Sequence, residues 1–473
     1  MLFIGAIKST HTLKKPIISL RNSIISASPV IALAVLFSVG FTYEFFPGFM
    51  SFDSLQQFRQ VLGVQELNDA HPVIMVYLWR LLLGLHNHAG ILLAFNQTLY
   101  WFSIALFACL AVRHLAARLL LLLVIGLCPP ILILSLHLWK DVLMMCCLAI
   151  ATTTLLGYIR HPNWAWLIAT VLALFFAVAV RVNGFIPAFP LLLLACYFVA
   201  KRFSDTKLQT TGLTIACFFG LCATHIAAMG IVNTKAEESY GLGTLLVWDM
   251  VAISLAEEED LLPKYLQRST EGSILPTLAA SYSAEANYPS YAVVSPYPPE
   301  AFKKQLVWDW LKLILAHPEA YLLHRGHVLG VMLGVLNREI YYPYHPGIDQ
   351  NEFNIEFTNI TPEELKAHLL RFDQLVASLV YRPWVYVLLA LTALALSSMR
   401  LLVKRGSSEA NILAATVALS GLTSAASLLV IATAADYRYI TWTILAGLLS
   451  FVILCADEAR KIKKKRQPLA KHV

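Results

Sequence analysis

Residues 26–54 read SASPVIALAVLFSVGFTYEFFPGFMSFDS. The first part, about 26–46, is apolar and about as long as a helix that crosses a bilayer, ~20 residues. It ends at the turn Pro47-Gly48, and Asp53 lies in the loop beyond that turn. We therefore expect a membrane span, followed by a loop that places a carboxylate at the far surface of the membrane.

The rest of the chain repeats this apolar character. Of 473 residues, 58% are hydrophobic and 14% are charged. The apolar runs do not alternate with polar residues as barrel strands do, so the pattern predicts an all-α integral membrane protein. About ten transmembrane helices are expected, at residues 26–46, 90–111, 119–136, 142–159, 164–180, 184–200, 209–232, 384–399, 411–433 and 439–455.

Charge and cysteine content limit the partners and the compartment. The formal net charge is +7, and much of it lies in an amino-terminal group that begins at Lys8 and in a tail from Arg460 to Arg466. The positive-inside rule accounts for both groups if the two termini are cytoplasmic, so no nucleic-acid partner is needed. The eight cysteines lie in or at the ends of apolar runs, which predicts neither a disulfide framework nor a zinc site.

Three regions are expected. Residues 1–232 would form an amino-terminal transmembrane module with a catalytic first outer loop at 47–71, and 384–473 would form the last helices and the basic tail. Between the first two spans, 53–61 and 71–85 are predicted as surface-lying helices. Residues 233–383, here called the polar segment, are expected to be partly helical and extracytoplasmic, because they are too long for a passive linker.

Several features of the polar segment predict local structure. The run Thr361-Pro-Glu-Glu364 has the pattern of a helix start. Residues 321–336 are apolar but include His324, Arg325 and His327, which favours a helix lying on the membrane surface. Trp248, Trp308 and Trp310 are interpreted as interfacial anchors.

Three short loops that this topology places outside each contain a cation. Lys140 lies in 137–141, Arg181 in 181–184 and Arg438 in 435–439. Cations are disfavoured in short outer loops, and ionisable groups near membrane depth are costly unless they are paired or used. Together with Asp53 on the same side, they predict an anion site at the outer face, where arginine matches phosphate oxygens and lysine supplies a point charge.

Each of these residues also has a purely structural explanation. Lys140 could pair with Asp141 or reach the headgroups, and Arg181 could pair with a carboxylate of the polar segment. Arg438 could pair with Asp436 or anchor at the interface. Asp53 could be a helix cap, His71-Pro72 a helix start, and Asn183-Gly184 a turn.

The motifs taken in order resemble those of a known group of enzymes. Pro47-Gly48 with Asp53-Ser54 and His71-Pro72, then Trp139-Lys140-Asp141, Arg181-x-Asn183-Gly184 and Tyr437-Arg438-Tyr439, are similar to the multi-span glycosyltransferases of the GT-C superfamily. The bacterial branch related to protein mannosyltransferase and aminoarabinose transferase enzymes is the nearest. The resemblance covers about 46–439, although the polar segment contributes little to it.

The resemblance implies a sugar donor linked to polyprenyl phosphate and a glycan or lipid acceptor, used at the outer face of the cytoplasmic (inner) membrane. Asp53 would be the catalytic base of an inverting transfer, and Lys140, Arg181 and Arg438 would bind the donor phosphate. Asp69 would be the second acidic residue that many of these enzymes have in the first outer loop. Four further residues are candidates to support the base and the phosphate-binding cations: His71, Asp141, Asn183 and Tyr437.

Two other readings use the same residues. A transporter or flippase for an anionic lipid-linked substrate needs the cations but no base, and it favours broken helices and related halves. A glycan ligase or polymerase also uses arginines at the outer face and a long outer loop, but the early Asp53 loop favours glycosyl transfer from a lipid donor. No ligand cluster for a metal is visible, and a divalent metal is left open.

Overall fold

The computed structural model describes residues 10–268, 273–336, 344–376, 378–403 and 408–469. Within these ranges the chain forms helices joined by loops, and its β-contacts are isolated bridges. This confirms the all-α class. Lys8, where the basic amino-terminal group begins, lies outside the described residues.

The part of the chain before the polar segment combines long apolar helices with shorter ones. Its helices are α1 (Thr10–Glu44), α2 (Phe52–Leu62), α3 (Val73–Leu83), α4 (Ile91–Ala111), α5 (Leu115–Gly126), α6 (Pro129–Ser135), α7 (Lys140–Arg160), α8 (Trp164–Ala179), α9 (Phe185–Ala200) and α10 (Lys207–Val232). Most side chains of α7 are buried, so this helix lies at the centre, whereas most of α10 is exposed at the periphery.

The polar segment is partly helical, as expected. It contains α11 (Leu242–Ala256), α12 (Leu275–Ser281), α13 (Lys303–Ala316), α14 (Pro318–Met332) and α15 (Pro362–Val376). The predicted helix start is confirmed, because Thr361 and Glu364 exchange hydrogen bonds in a capping box. The remaining helices are α16 (Pro383–Leu402), α17 (Ser408–Ile431) and α18 (Thr441–Leu469).

Eight of the described helical stretches are long and apolar enough to cross a membrane, and a bent pair would make nine. The bent pair is α5 with α6, whose axes differ by 68° at the predicted kink of Pro129-Pro130. Helix α8, counted among the ten expected spans, has 16 residues and is shorter than the eight. These helices indicate a multi-pass membrane protein.

Two interpretations in the polar segment need correction. In helix α14, Arg325 is fully buried and His324 nearly so, and these side chains therefore do not form the polar face of a surface-lying helix. Trp248 is fully buried rather than interfacial, and Trp310 donates its indole N–H to Asp249. Both corrections have one cause: the polar groups in these apolar stretches find partners inside the fold.

Candidate functional site

Three backbone junctions bring the predicted loops together. Phe49 pairs with His137, which places the residues after α1 beside the residues before α7. At the turn before Phe49, Gly48 adopts a φ of 102°, and a Cβ there would meet the Leu136 carbonyl oxygen at 3.0 Å, so glycine is required. Met50 in turn pairs with Ile348 of the polar segment.

The third junction involves the other end of the chain. Ala286 of the polar segment pairs with Ala434, and the Ala435 amide donates to the Glu285 carbonyl at 2.7 Å. The loop that precedes Arg438 therefore lies against the polar segment. The loops that contain Asp53, Lys140 and Arg438 take part in these contacts and border a common space.

That space is a cavity of about 2280 Å³. Its lining includes all four residues assigned to base and phosphate binding, which are Asp53, Lys140, Arg181 and Arg438. His71, Asp69 and Asn183 also line it. The predicted residues thus meet around one cavity rather than lying scattered around the rim of the protein.

One part of the remaining lining is mostly apolar and lies on α8, α9 and α10. Its walls include Leu172 and Phe175 from α8, Phe189 from α9, and Phe218 and Ile226 from α10. Leu172, Phe189 and Ile226 are exposed. The cavity therefore has one charged end and one apolar groove formed by helices long or apolar enough to contact lipid.

Arg438 occupies the centre of the charged end. Its guanidinium pairs with Asp53 at 2.8 Å and with Asp436 at 2.7 Å. It also lies over the rings of Trp139, at 4.9 Å, and of Tyr439, at 5.5 Å. The expected alternative of pairing with Asp436 is therefore present, together with a direct contact to the proposed base.

Arg181 is held from a different direction. It forms a short ion pair with Asp141, at the start of α7, and its guanidinium lies 4.8 Å from the centre of the Tyr439 ring. The two alternatives, in which Asp141 pairs with Lys140 and Arg181 with the polar segment, are both wrong. Tyr439 contacts both arginines and so separates them with one aromatic ring.

Lys140 faces a neutral partner. Its ammonium donates to Nδ1 of His71 at 3.3 Å, and Nε2 of His71 donates to Gln56 at 3.0 Å. Burial, and then the charge of Lys140, lower the pKa of His71 from 6.5 to about 3, so the ring is uncharged at neutral pH. Within the described ranges Lys140 has no ion pair with a carboxylate, so its amino group is available to an anion.

Asp53 does not cap a helix. It is the second residue of α2, Ser51 occupies the cap position, and no side-chain capping bond forms there. Burial by itself would raise the pKa of the Asp53 carboxyl, but the charge of Arg438 and its neighbours outweighs burial and lowers it below the usual range. Asp53 is therefore ionised, and about a third of its side chain is exposed to the cavity.

The supporting candidates divide into two groups. Asp69 accepts hydrogen bonds from the backbone and hydroxyl of Ser239 at 2.6 and 2.5 Å, so it ties the first outer loop to the polar segment. Asp141 and Tyr437 do not line the cavity; Asp141 lies behind Arg181, and the Tyr437 hydroxyl donates to the Tyr381 carbonyl.

Sequence reasoning assigned no role to three residues that hold the site, although Trp139 was part of the motif that contains Lys140. Gln56 lies one turn after Asp53 on α2, a spacing that places both on one helix face and could have indicated it. Trp139 donates to Ser51 at 2.8 Å and lies under Arg438. His137 stacks on Trp139 at 4.1 Å and bonds the backbone of His345, a contact over a long sequence separation that leaves no local signal.

Among the described residues, no group of three or more histidine, cysteine, aspartate and glutamate side chains is arranged to hold a metal ion. The aspartates of the charged end instead face arginines.

The chain was also compared with known proteins. No protein-family model matches it, and neither a curated protein nor a solved structure does.

Proposed function

We propose that this protein is a glycosyltransferase that takes a sugar from a polyprenyl-phosphate donor and transfers it, with inversion, to a glycan or lipid acceptor at the outer face of the cytoplasmic membrane. The observation that carries the proposal is the composition of one cavity. A carboxylate and three cations lie at one end, and an apolar groove between α8, α9 and α10 lies at the other.

A sugar linked to polyprenyl phosphate likewise has one polar part and one apolar part. Its phosphate and sugar are polar, and its prenyl chain is apolar and remains in the bilayer. The groove offers apolar side chains to the prenyl chain, so the chain need not enter water when the donor binds. The phosphate would then lie beside Lys140, Arg181 and Arg438, where charge-assisted hydrogen bonds are strongest.

The two arginines of the charged end already have carboxylate partners before a ligand binds. Arg438 pairs with Asp53 and Asp436, and Arg181 pairs with Asp141. A phosphate therefore binds by exchange: it takes Arg438 from Asp53, while Asp141 and Asp436 continue to orient the two arginines. The same exchange withdraws the positive charge that lowers the pKa of Asp53, so the carboxylate becomes a better proton acceptor when the donor is in place.

The proposed transfer forms one bond and breaks another at the anomeric carbon of the sugar. The acceptor hydroxyl oxygen forms a bond to the anomeric carbon, and the bond from that carbon to the phosphate oxygen breaks. The hydroxyl proton moves to Asp53, and polyprenyl phosphate leaves with one more negative charge. Lys140, Arg181 and Arg438 stabilise that developing charge, which is the usual role of cations fixed in advance at a reacting centre.

His71 serves this arrangement as a neutral group. A protonated ring beside Lys140 would repel it, whereas the neutral ring accepts its N–H and is fixed by Gln56. Lys140 is thereby directed into the cavity without losing its charge to a carboxylate.

The test uses membranes that contain the full-length protein, supplied with a panel of polyprenyl-phosphate-linked sugars and a cell-envelope fraction as acceptor. Released polyprenyl phosphate is measured. Asp53→Asn should lower release by ~10²–10⁴-fold, the range for loss of a general base. The matched control is Glu352→Gln, which makes the same chemical change at a carboxylate outside the cavity and should leave release unchanged.

Three results would count against the proposal. Full release of polyprenyl phosphate by Asp53→Asn would rule out Asp53 as the base. Absence of release by the unsubstituted protein with every donor would rule out glycosyl transfer from these donors. Movement of the intact lipid-linked sugar across a reconstituted bilayer, equal in the unsubstituted and Asp53→Asn proteins, would support the transporter reading, which needs the cations but no base.

A further inference from the structure

A second aspartate–arginine pair lies inside the polar segment, away from the cavity lining. Asp249 on α11 and Arg325 on α14 are both 0% exposed, and their charged groups lie 2.5 Å apart. Trp310 donates to the other oxygen of Asp249 at 2.9 Å. His324 lies 3.4 Å from the same carboxylate and 3.1 Å from the Tyr282 hydroxyl.

This buried pair contacts the chain at the end of a candidate membrane helix, α17. Nη1 of Arg325 donates to the carbonyl of Ala432 at 2.5 Å. Ala432 is the first residue after α17, where the last carbonyls of a helix lack partners within the helix. Arg325 thus holds the beginning of the 432–436 loop, and the Glu285 carbonyl holds Ala435 near its end.

The 432–436 loop leads directly to the cavity. Asp436, its last residue, accepts from the backbone N–H of Arg438 at 3.1 Å and pairs with its guanidinium. The guanidinium then meets Asp53. A continuous series of contacts therefore connects Asp249, through Arg325 and the loop, to the cation beside the proposed base.

We propose that Arg325, itself oriented by Asp249, is a positioning residue that fixes the 432–436 loop and thereby the guanidinium of Arg438. A buried ion pair is no more stabilising than well-packed apolar residues, so stability alone does not explain it. What the charged pair adds is a directional, charge-assisted hydrogen bond to one backbone carbonyl. Its value for catalysis rests on the proposed function, but its effect on Arg438 does not.

The test measures the exposure of single arginines. The full-length protein in detergent is treated with phenylglyoxal, which modifies accessible guanidinium groups, and modification of Arg438 and Arg181 is followed by mass spectrometry. Arg181 is the internal control, because it lines the same cavity but is held by Asp141 on α7. The main variant is Asp249→Asn/Arg325→Met, which removes both buried charges together and avoids leaving one unpaired.

In this variant Arg438 should be modified about tenfold faster, the order expected from loss of one charge-assisted hydrogen bond, while Arg181 keeps its rate. Arg325→Lys keeps a charge beside Asp249 and is the milder change; it should show the same selectivity with a smaller factor. An equal rise at both arginines would show a general loosening and overturn the proposal, as would unchanged Arg438 in either variant. Neither readout depends on glycosyl transfer, so the two proposals can fail separately.

Discussion

The two aspartate–arginine pairs on either side of the 432–436 loop have similar chemistry and different surroundings. Asp53 and Arg438 face the cavity, with 36% and 14% of their side chains exposed. Asp249 and Arg325 are enclosed by α11, α13 and α14 and have no exposed surface. The first pair can exchange partners with a ligand or water, whereas the second can only keep the partners that the fold supplies.

This difference separates reacting groups from supporting ones. Breaking an exposed pair costs little, because solvent replaces the lost partner. Breaking a buried pair leaves a charge without compensation, which costs much more. We therefore expect changes at Asp249 to appear in stability and changes at Arg438 to appear in activity, and the following experiments test that division.

The largest expected effect is on folding. Asp249→Ala leaves Arg325 buried without its anion and should destabilise the protein by ~3–5 kcal/mol. Thermal unfolding in detergent measures it. The control is Asp309→Ala, which removes a half-buried aspartate of the same segment that accepts from Tyr265. Equal losses in both variants would show that the Asp249–Arg325 pair has no special role.

The next effect is on activity. Arg438→Gln removes a donor at the position where phosphate charge develops and should lower polyprenyl phosphate release by ~10²–10³-fold. Its melting temperature should fall less than that of Asp249→Ala, because Asp53 remains accessible to water. The matched control is Arg202→Gln, since Arg202 also lies over two aromatic rings, those of Tyr158 and Trp164, but outside the cavity. A large stability loss with normal release would reverse the roles assigned to the two pairs.

The positions of the helices and of the candidate site can be predicted from the sequence better than the ion pairs between them. Long apolar runs contain enough information to locate most helices, because a bilayer requires about the same length of each. The convergence of Asp53 with three cations followed from topology, since the positive-inside rule makes a cation in a short outer loop unusual. These inferences use composition and order along the chain.

The sequence does not show which charged side chains form ion pairs with each other. Arg325 suggested a surface-lying helix because its partner, Asp249, lies on another helix far away in sequence. The expected Lys140–Asp141 pair was wrong for a local reason: adjacent residues on a helix point in different directions, so one faces His71 and the other Arg181. Helix geometry alone argued against that pair.

A smaller effect is expected on the pH dependence of the protein's stability. The pKa of His71 is lowered from 6.5 to about 3 by burial, so below pH 6.5 the unfolded chain binds this proton before the folded protein does. The stability contributed by neutral His71 is complete above pH 6.5 and is lost as the pH falls from 6.5 towards 3. At pH 5 the loss should be ~2 kcal/mol.

Melting temperatures at pH 7 and pH 5 test this effect. His71→Gln, whose amide oxygen can accept from Lys140, should have a smaller drop on acidification than the unsubstituted protein. His137, whose pKa burial also lowers to about 3, contributes to both proteins and cancels in the difference. The control is His161→Gln, at an exposed histidine in the loop between α7 and α8. An identical drop in all three proteins would contradict a neutral, buried His71.

The smallest effect is expected at a third ion pair, which supplies the reference for the other two. Arg59 on α2 contacts both oxygens of Glu352, at 2.5 and 2.8 Å, and joins the helix of Asp53 to the polar segment. Both side chains are partly exposed, and surface pairs contribute little because solvent screens them. Glu352→Gln should shift the melting temperature by less than ~2 °C, leave release unchanged, and show a smaller shift still in high salt. A loss of release in this variant would mean that a solvated contact positions Asp53. Attachment to α2, rather than burial, would then decide whether an ion pair can exchange its partners.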